Sequence, residues 1–108
     1  MRGIQLTDAG GKVTFQTVYP GWYAGRITHI HFQVYMNNGL VATSQLAFPD
    51  DVTKAVYSSS LYAAKGQNSS VQSAAQDNVF ADGTAHETLA ITGSVDSGFT
   101  GTLTAVVV

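Results

Sequence analysis

From His29 to Met36 the chain alternates strictly between polar or amphipathic and apolar side chains. Successive side chains of a strand point to opposite faces, so this alternation predicts a β-strand over residues 27–36 with one face turned toward a core. The apolar face carries Ile30, Phe32, Val34 and Met36, and the other face carries His29, His31, Gln33 and Tyr35. Asn37-Asn38-Gly39 has the chemistry of a hairpin turn, so we expect a return strand over residues 40–48.

Other segments also predict strands and turns. Alternation over residues 4–7 and 13–17, with Asp8-Ala9-Gly10-Gly11 between them, predicts a hairpin, and residues 87–93 and 99–108 predict two more strands. After Pro49, Asp50 or Asp51 is expected to cap a short helix with Val52, Ala55 and Val56 on its apolar face. Residues 63–76 have the composition of a mobile loop. The prediction is an all-β chain, a β-sandwich with one short helix, forming one domain over residues 1–108.

Composition excludes several classes of function. The 108 residues carry only 5 Lys and Arg and a net charge of −2, so no basic stripe is available to bind a nucleic acid. No apolar run is long enough to cross a bilayer, and the N-terminus lacks the apolar core of a secretory signal; a cytoplasmic and a secreted protein both fit. With no Cys, any metal must be held by His, Tyr, Asp, Glu or backbone oxygen.

His29 and His31 are the first residues that point to chemistry. Two residues apart on a strand, their imidazoles lie on the same face at a spacing that suits one metal ion. The alternative is a pair of solvent-exposed histidines on a polar face. Pro20-Gly21 makes a sharp entry that could present Tyr23 toward the same face, and a phenolate is a hard anionic ligand that favours a ferric ion. Trp22, just before it, is expected to pack.

A longer pattern surrounds these residues. It comprises Gly3, Leu6-Thr7-Asp8 through Gly11, Phe15-Gln16-Thr17-Val18, Pro20-Gly21-Trp22-Tyr23, Gly25-Arg26 and His29-Ile30-His31-Phe32. With these motifs, the stretch from Met1 to about Phe48 resembles the intradiol ring-cleavage dioxygenases, in their shorter dioxygenase-like branch. The resemblance continues more weakly to the C-terminus.

The resemblance implies a reaction and a site. Members of the family cleave catechol-type diols with O₂ at a non-haem Fe(III) ion. The Tyr of Pro-Gly-x-Tyr and both His of His-x-His bind that ion, which implies Tyr23, His29 and His31 as metal ligands. An Arg three residues before the first His stabilises negative charge on the substrate, here Arg26. A Gln of the next strand assists it, here Gln45 in Ser44-Gln45-Leu46.

One departure from the family pattern changes the expectation. The family uses a second tyrosinate upstream of the matching stretch, and no residue here matches it, so we expect an N-terminally truncated relative with weakened activity. Zinc or another divalent ion could then occupy the site. The alternatives are an inactive metal-binding module and an interaction module, with a homo-oligomer formed through an exposed sheet edge. His86 has no partner at metal-ligand spacing and is expected on the surface.

Overall fold

The structure is a computed structural model that describes residues 2–37, 39–80 and 87–105. Its largest sheet element is an antiparallel hairpin of β1 (His29–Met36) and β2 (Gly39–Ala47). Asn37 adopts a positive φ of 51° at the turn, as a tight hairpin requires, while Asn38 lies outside the described residues. The register shifts between Val34 and Tyr35, where Val41 is the extra residue of β2, as in a β-bulge. The predicted strand pair is confirmed, with β1 beginning two residues later than expected.

The one α-helix, α1 (Asp50–Tyr57), follows β2 directly. Pro49 occupies the N-cap position and no side chain caps the helix, so the expectation of an Asp cap is wrong. Asp50 and Asp51 instead lie in the first turn, where negative charge favours the helix dipole. The buried face comprises Thr53, Val56 and Tyr57. The buried face of the helix therefore differs from the predicted one: Val56 lies on both, but Ala55 is exposed.

A second antiparallel hairpin, β3 (Ala90–Ser94) with β4 (Gly98–Thr102), follows a single turn of 3₁₀ helix at Ala74–Gln76. The strands are shorter than the sequence predicted. Ala47, at the end of β2, connects the two halves of the chain: its N–H donates to the Glu87 carbonyl at 2.8 Å, and its carbonyl accepts from the Leu89 N–H at 2.9 Å. His86 and Val106-Val107-Val108, for which we made predictions, lie outside the described residues.

The N-terminal segment, residues 2–18, does not form the predicted strands. A turn closes between Asp8 and Lys12, whose backbones hydrogen-bond at 3.0 Å, but the two extended legs are assigned to no strand. Ile4 and Leu6 are 94% and 92% exposed. Alternation alone does not make a strand, because a strand also needs the hydrogen-bond ladder of a partner strand.

The core lies under the segment that leads into β1. Ile27, Ala47, Val71 and Phe80 form its buried apolar cluster, with Ala74 packed against it. These residues come from four different parts of the chain. Because Ile27 belongs to this cluster, the positions of its neighbours Arg26 and Thr28 are fixed by the core. The described part of the chain therefore has the all-β fold that the sequence predicted, with one short α-helix.

Candidate metal site

Three nitrogen and oxygen donors meet at the start of β1. His29 and His31 share a strand face, and their Nε2 atoms are 3.1 Å apart. The Tyr23 hydroxyl lies 3.3 Å from His29 Nε2. Tyr23 reaches this position from a turn in which the Arg26 N–H donates to the Tyr23 carbonyl and Gly25 takes a φ of 91°, a conformation that favours glycine.

The spacing of these donors is that of ligands around one ion. Two ligands with bonds of about 2.1 Å stand roughly 3.0 Å apart at a right angle and roughly 3.4 Å apart at a tetrahedral angle. The two observed separations, 3.1 and 3.3 Å, fall within that interval. With these two separations, two imidazoles and one phenol form a candidate donor set for a metal ion that accepts both nitrogen and hard oxygen ligands.

His29 has the tautomer that a metal ligand needs. Its Nδ1 lies 2.7 Å from the Ile27 carbonyl, and because a carbonyl only accepts, Nδ1 carries the proton and donates it. The lone pair is then on Nε2, the atom that faces Tyr23 and His31. Burial lowers the pKa of His29, and the nearby Arg26 and His31 act in the same direction against the opposing hydrogen bond to Ile27. The hydrogen bond to Ile27 orients the ring, as in many metal sites, and the lowered pKa favours its neutral form.

Arg26 and Gln45 lie beside this cluster. Gln45 is paired with His31 in the β1–β2 register, so both side chains lie on the same face of the hairpin. Arg26 Nη2 donates to Gln45 Oε1 at 2.6 Å, and Arg26 Nη1 lies 3.4 Å from His29 Nε2. All five residues that the sequence singled out are thus brought together: Tyr23, Arg26, His29, His31 and Gln45.

Residues 63–76, predicted to be a mobile loop, form a loop that ends in the 3₁₀ turn, and several hydrogen bonds attach it to this site. Its mobility stays a prediction. The Trp22 indole donates to the Gly66 carbonyl at 3.0 Å, and the Gly25 N–H donates to Ser70 Oγ at 3.0 Å. Asn68 is buried and donates to the Arg26 carbonyl at 2.8 Å. Serine-rich and glutamine-rich composition indicated a loop correctly, but it carries no information about which backbone groups a loop will bind.

Two residues of this region were missed by the sequence analysis. Asn68 accepts from the backbone N–H groups of Ser70 and Val71 through its Oδ1 while its amide holds Arg26. Asp77 binds the Arg26 side chain directly, with Arg26 Nε to Asp77 Oδ2 at 2.7 Å. No local signal in the sequence connects Asp77 with Arg26, which lies 51 positions earlier in the chain.

The other four tyrosines of the chain have different partners. Tyr19 bonds the Thr53 hydroxyl, Tyr57 bonds Thr28 and donates to the Pro20 carbonyl, Tyr62 donates to the Tyr19 carbonyl, and Tyr35 donates to Gln33. Burial raises the pKa of Tyr19 and of Tyr57, which opposes phenolate formation there. Tyr23 is therefore the phenol that this chain directs at the histidine pair.

Two further observations delimit the site. In residues 2–37, 39–80 and 87–105 no group of three or more His, Cys, Asp and Glu could hold a metal ion, so the candidate site depends on the phenol as its third donor. A cavity of about 440 Å³ lies between α1 and the loop, with Asp50, Thr53 and Asn68 among its lining residues. None of the five site residues lines that cavity.

No helix in the described ranges has the length and apolarity that crossing a membrane takes.

Comparison with known proteins adds one solved structure. The chain is similar to an intradiol ring-cleavage dioxygenase from Tetranychus urticae, with a TM-score of 0.82 and 25% sequence identity over 94% of this chain. No family model matches the chain, and no curated protein matches it. The match covers 50% of the solved chain, so this chain spans about half of that protein's length. The fold is that of the intradiol dioxygenase β-sandwich, as the sequence predicted.

Proposed function

We propose that the chain is a non-haem Fe(III) domain of the intradiol dioxygenase type, acting on catechol-type diols with O₂. The observation that carries the proposal is the convergence of Tyr23, His29 and His31 at donor separations of 3.1 and 3.3 Å, on a fold shared with an intradiol dioxygenase. The activity is a proposal, since the matching solved protein is about twice as long as this chain.

The three donors favour iron through their chemistry. Imidazole suits several transition metals, whereas an anionic phenolate oxygen favours an ion of high charge. A bound ferric ion would supply Lewis acidity and a template for the diol and O₂. Tyr23 is 55% exposed, so it has room to leave the cluster when a diol enters and to take up a proton from a diol hydroxyl.

Arg26 and Gln45 would act on the substrate. Arg26 is a permanent cation next to His29, and Gln45 orients it through the 2.6 Å hydrogen bond to Nη2. A cation fixed in this position stabilises negative charge that develops on the diol oxygens and on the ring during attack by oxygen. Because the guanidinium is held before the substrate arrives, little reorganisation accompanies the reaction.

The site of this chain lacks one donor of the family pattern. Four protein ligands are expected for the family, and the other tyrosines of this chain bond elsewhere. With one anionic oxygen fewer, the preference for Fe(III) over divalent ions weakens, and zinc or nickel becomes acceptable. We therefore propose that the chain by itself binds metal and cleaves catechol slowly.

A second candidate function is an inactive metal-binding or interaction module. The exposed apolar side chains of the N-terminal segment, such as Ile4 and Leu6, favour it. Extended segments that belong to no strand among the described residues can offer edges onto which another chain adds. We propose a homo-oligomer formed through this segment, which is compatible with either function.

The test begins with metal content and continues with the reaction. The wild-type protein and the His29→Ala/His31→Ala double variant are loaded with Fe(III), desalted and analysed for iron, with Gln33→Ala as the matched control from the same strand face. We expect about one iron per chain except in the double variant; iron retained there at the wild-type level rejects the ligand assignment. Oxygen uptake with catechol and a muconate-type diacid product then separate a dioxygenase from an inactive metal-binding module.

A further inference from the structure

Asp77 is a fully buried carboxylate with 0% exposure, attached to the candidate site from below. Its Oδ2 accepts from Arg26 Nε and from the Ile27 N–H, both at 2.7 Å. Its Oδ1 accepts from the Val79 N–H at 2.8 Å. Both oxygens therefore have donors, and one of the donors is charged, which is the condition under which a carboxylate can be buried in ionised form.

The contact with Asp77 decides where the rest of the guanidinium points. A guanidinium is a planar fork, so fixing Nε on a buried acceptor also fixes the directions of Nη1 and Nη2. Those two nitrogens face His29 and Gln45. One side of the fork is thus occupied by the protein interior, and the other side faces the proposed diol position.

Other contacts restrict the same residue. Asn68 binds the Arg26 carbonyl at 2.8 Å, and the Phe80 ring lies beneath the guanidinium, with its centroid 5.8 Å from Cζ. Asp77 binds the next backbone N–H, that of Ile27, as well as the side chain of Arg26. The backbone and the side chain of Arg26 are therefore tied to one carboxylate.

We propose that Asp77 is a positioning residue: it orients Arg26 so that Nη1 and Nη2 face the diol oxygens beside the metal ligands. The inference rests on the proposed function. An Asn at this position would retain the shape but present an amide N–H₂ to at least one of the present donors. Since Arg26 Nε and the Ile27 N–H share one oxygen, Asp77→Asn cannot satisfy both of them and Val79 together.

One readout requires no metal and no substrate. The chain contains two arginines, Arg2, which is exposed, and Arg26. In the metal-free protein we expect the Nε–H of Arg26 to exchange with water much more slowly than that of Arg2 in a nitrogen-15 NMR spectrum. Asp77→Asn should raise the exchange rate of the Arg26 Nε–H toward that of Arg2. Asp51→Asn, the same change at an exposed carboxylate, should leave that rate unchanged. The one oxygen of Asn can stay on Arg26 and Ile27 and give up only Val79, so Asp77→Leu, which has no acceptor, decides the matter: equal protection in wild type and Asp77→Leu would overturn the contact.

The second readout is the affinity of the Fe(III)-loaded protein for 4-nitrocatechol, followed by its visible spectrum. Asp77→Asn should retain the iron content and weaken the affinity about tenfold. In an Arg26→Leu background the same change should weaken it no further, because the effect of Asp77 passes through Arg26. The positioning role is contradicted if Asp77→Asn still weakens the affinity about tenfold in the Arg26→Leu background. It is also contradicted if Asp77→Asn alone leaves the affinity unchanged.

Two controls keep the outcomes separate. If Asp77→Asn does not fold, Arg26→Lys with Asp77 intact replaces it: one ammonium group at Asp77 cannot also occupy the position of Nη2, so affinity should fall nearly as far as in Arg26→Leu. Full affinity in Arg26→Lys would reject the inference. If wild-type protein with bound iron does not bind 4-nitrocatechol, the proposed function and the diol-directed part of the inference both fail, while the exchange experiment still decides whether Asp77 holds Arg26.

Discussion

At the scale of single residues, the candidate site depends on which atom of each side chain is already engaged. His29 donates from Nδ1 to a backbone carbonyl, so its Nε2 faces the other donors, and Arg26 donates from Nε to Asp77, so its Nη groups face Gln45 and His29. Neither choice is visible in a sequence, which gives the residue type but not the tautomer or the side of the fork in use. The identities of Tyr23, His29 and His31 could be predicted because their motif is local.

Arg26→Leu should separate substrate chemistry from metal binding. A charge-stabilising donor of this kind contributes about 3 kcal/mol to a transition state, roughly a hundredfold in rate. Because Arg26 is proposed to face the diol and not the ion, we expect catechol turnover to fall by about that factor while the iron content stays near the wild-type value. Parallel loss of iron and turnover would instead make Arg26 a structural residue.

Asp77 should make the free energy of unfolding of the metal-free protein depend on pH in the acidic range. Burial alone would raise its pKa, but the hydrogen bonds from Ile27, Arg26 and Val79 together lower the pKa below the ordinary value. The ionised form is thus favoured in the folded state, so its contribution is present above about pH 4 and is lost as the pH falls toward the folded pKa.

Urea denaturation of the metal-free protein, repeated at a series of pH values from pH 5 down to the lowest pH at which it still folds, measures this contribution. The loss of stability on acidification should be shallower in Asp77→Asn than in the wild type, while Asp51→Asn should keep the wild-type slope. An Asp77→Asn curve parallel to the wild-type curve would show that the carboxylate has the same pKa in the folded and unfolded chains.

At the scale of elements, predictions held where the signal is local and did not hold where it depends on distant partners. The alternation of β1 and the turn chemistry after it predict the hairpin, and the register then places Gln45 opposite His31. The N-terminal legs alternate in the same way, yet among the described residues they belong to no strand, and their apolar side chains are exposed. The attachment of residues 63–76 could not be predicted, because it rests on contacts with residues about 40 positions earlier, such as Trp22–Gly66 and Asn68–Arg26.

Asn68 tests how much this loop contributes to stability. Its buried amide binds Arg26, Ser70 and Val71, so truncation leaves a buried carbonyl and backbone N–H groups without their partner. We expect Asn68→Ala to lower the free energy of unfolding by about 2 kcal/mol, a fall in Tm of roughly 8 to 16 °C for a chain of this size. Asn78→Ala, at an exposed position near Asp77, is the matched control and should leave Tm almost unchanged. Equal melting temperatures would show that the loop is attached only loosely.

At the scale of the whole molecule, the N-terminal segment exposes several apolar side chains along its two extended legs. Ile4, Leu6, Val13, Phe15 and Val18 are all exposed there. Burying these side chains against a second copy removes them from water and allows strand pairing along the legs. The segment contains charges only at Arg2, Asp8 and Lys12, so few like charges oppose the pairing.

Light scattering at micromolar concentration should therefore report an oligomer. Ile4→Asn/Leu6→Asn should shift the molecular mass toward the monomer. Leu61→Asn changes a residue that is 89% exposed outside this segment, and it should have no effect. A wild-type protein that stays monomeric throughout the concentration range would reject association through the N-terminal legs.

The visible spectrum of the Fe(III)-loaded protein tests the central claim most directly, because a phenolate bound to ferric iron absorbs in the visible range and histidine ligands do not. Wild type and Tyr35→Phe, which alters a tyrosine on the same strand that bonds Gln33, should both be coloured at one iron per chain. Tyr23→Phe should lose the colour while the two histidines retain at least part of the iron. A Tyr23→Phe protein that keeps the full absorption band, or a wild-type protein that binds iron at His29 and His31 without colour, would contradict the proposed three-donor site.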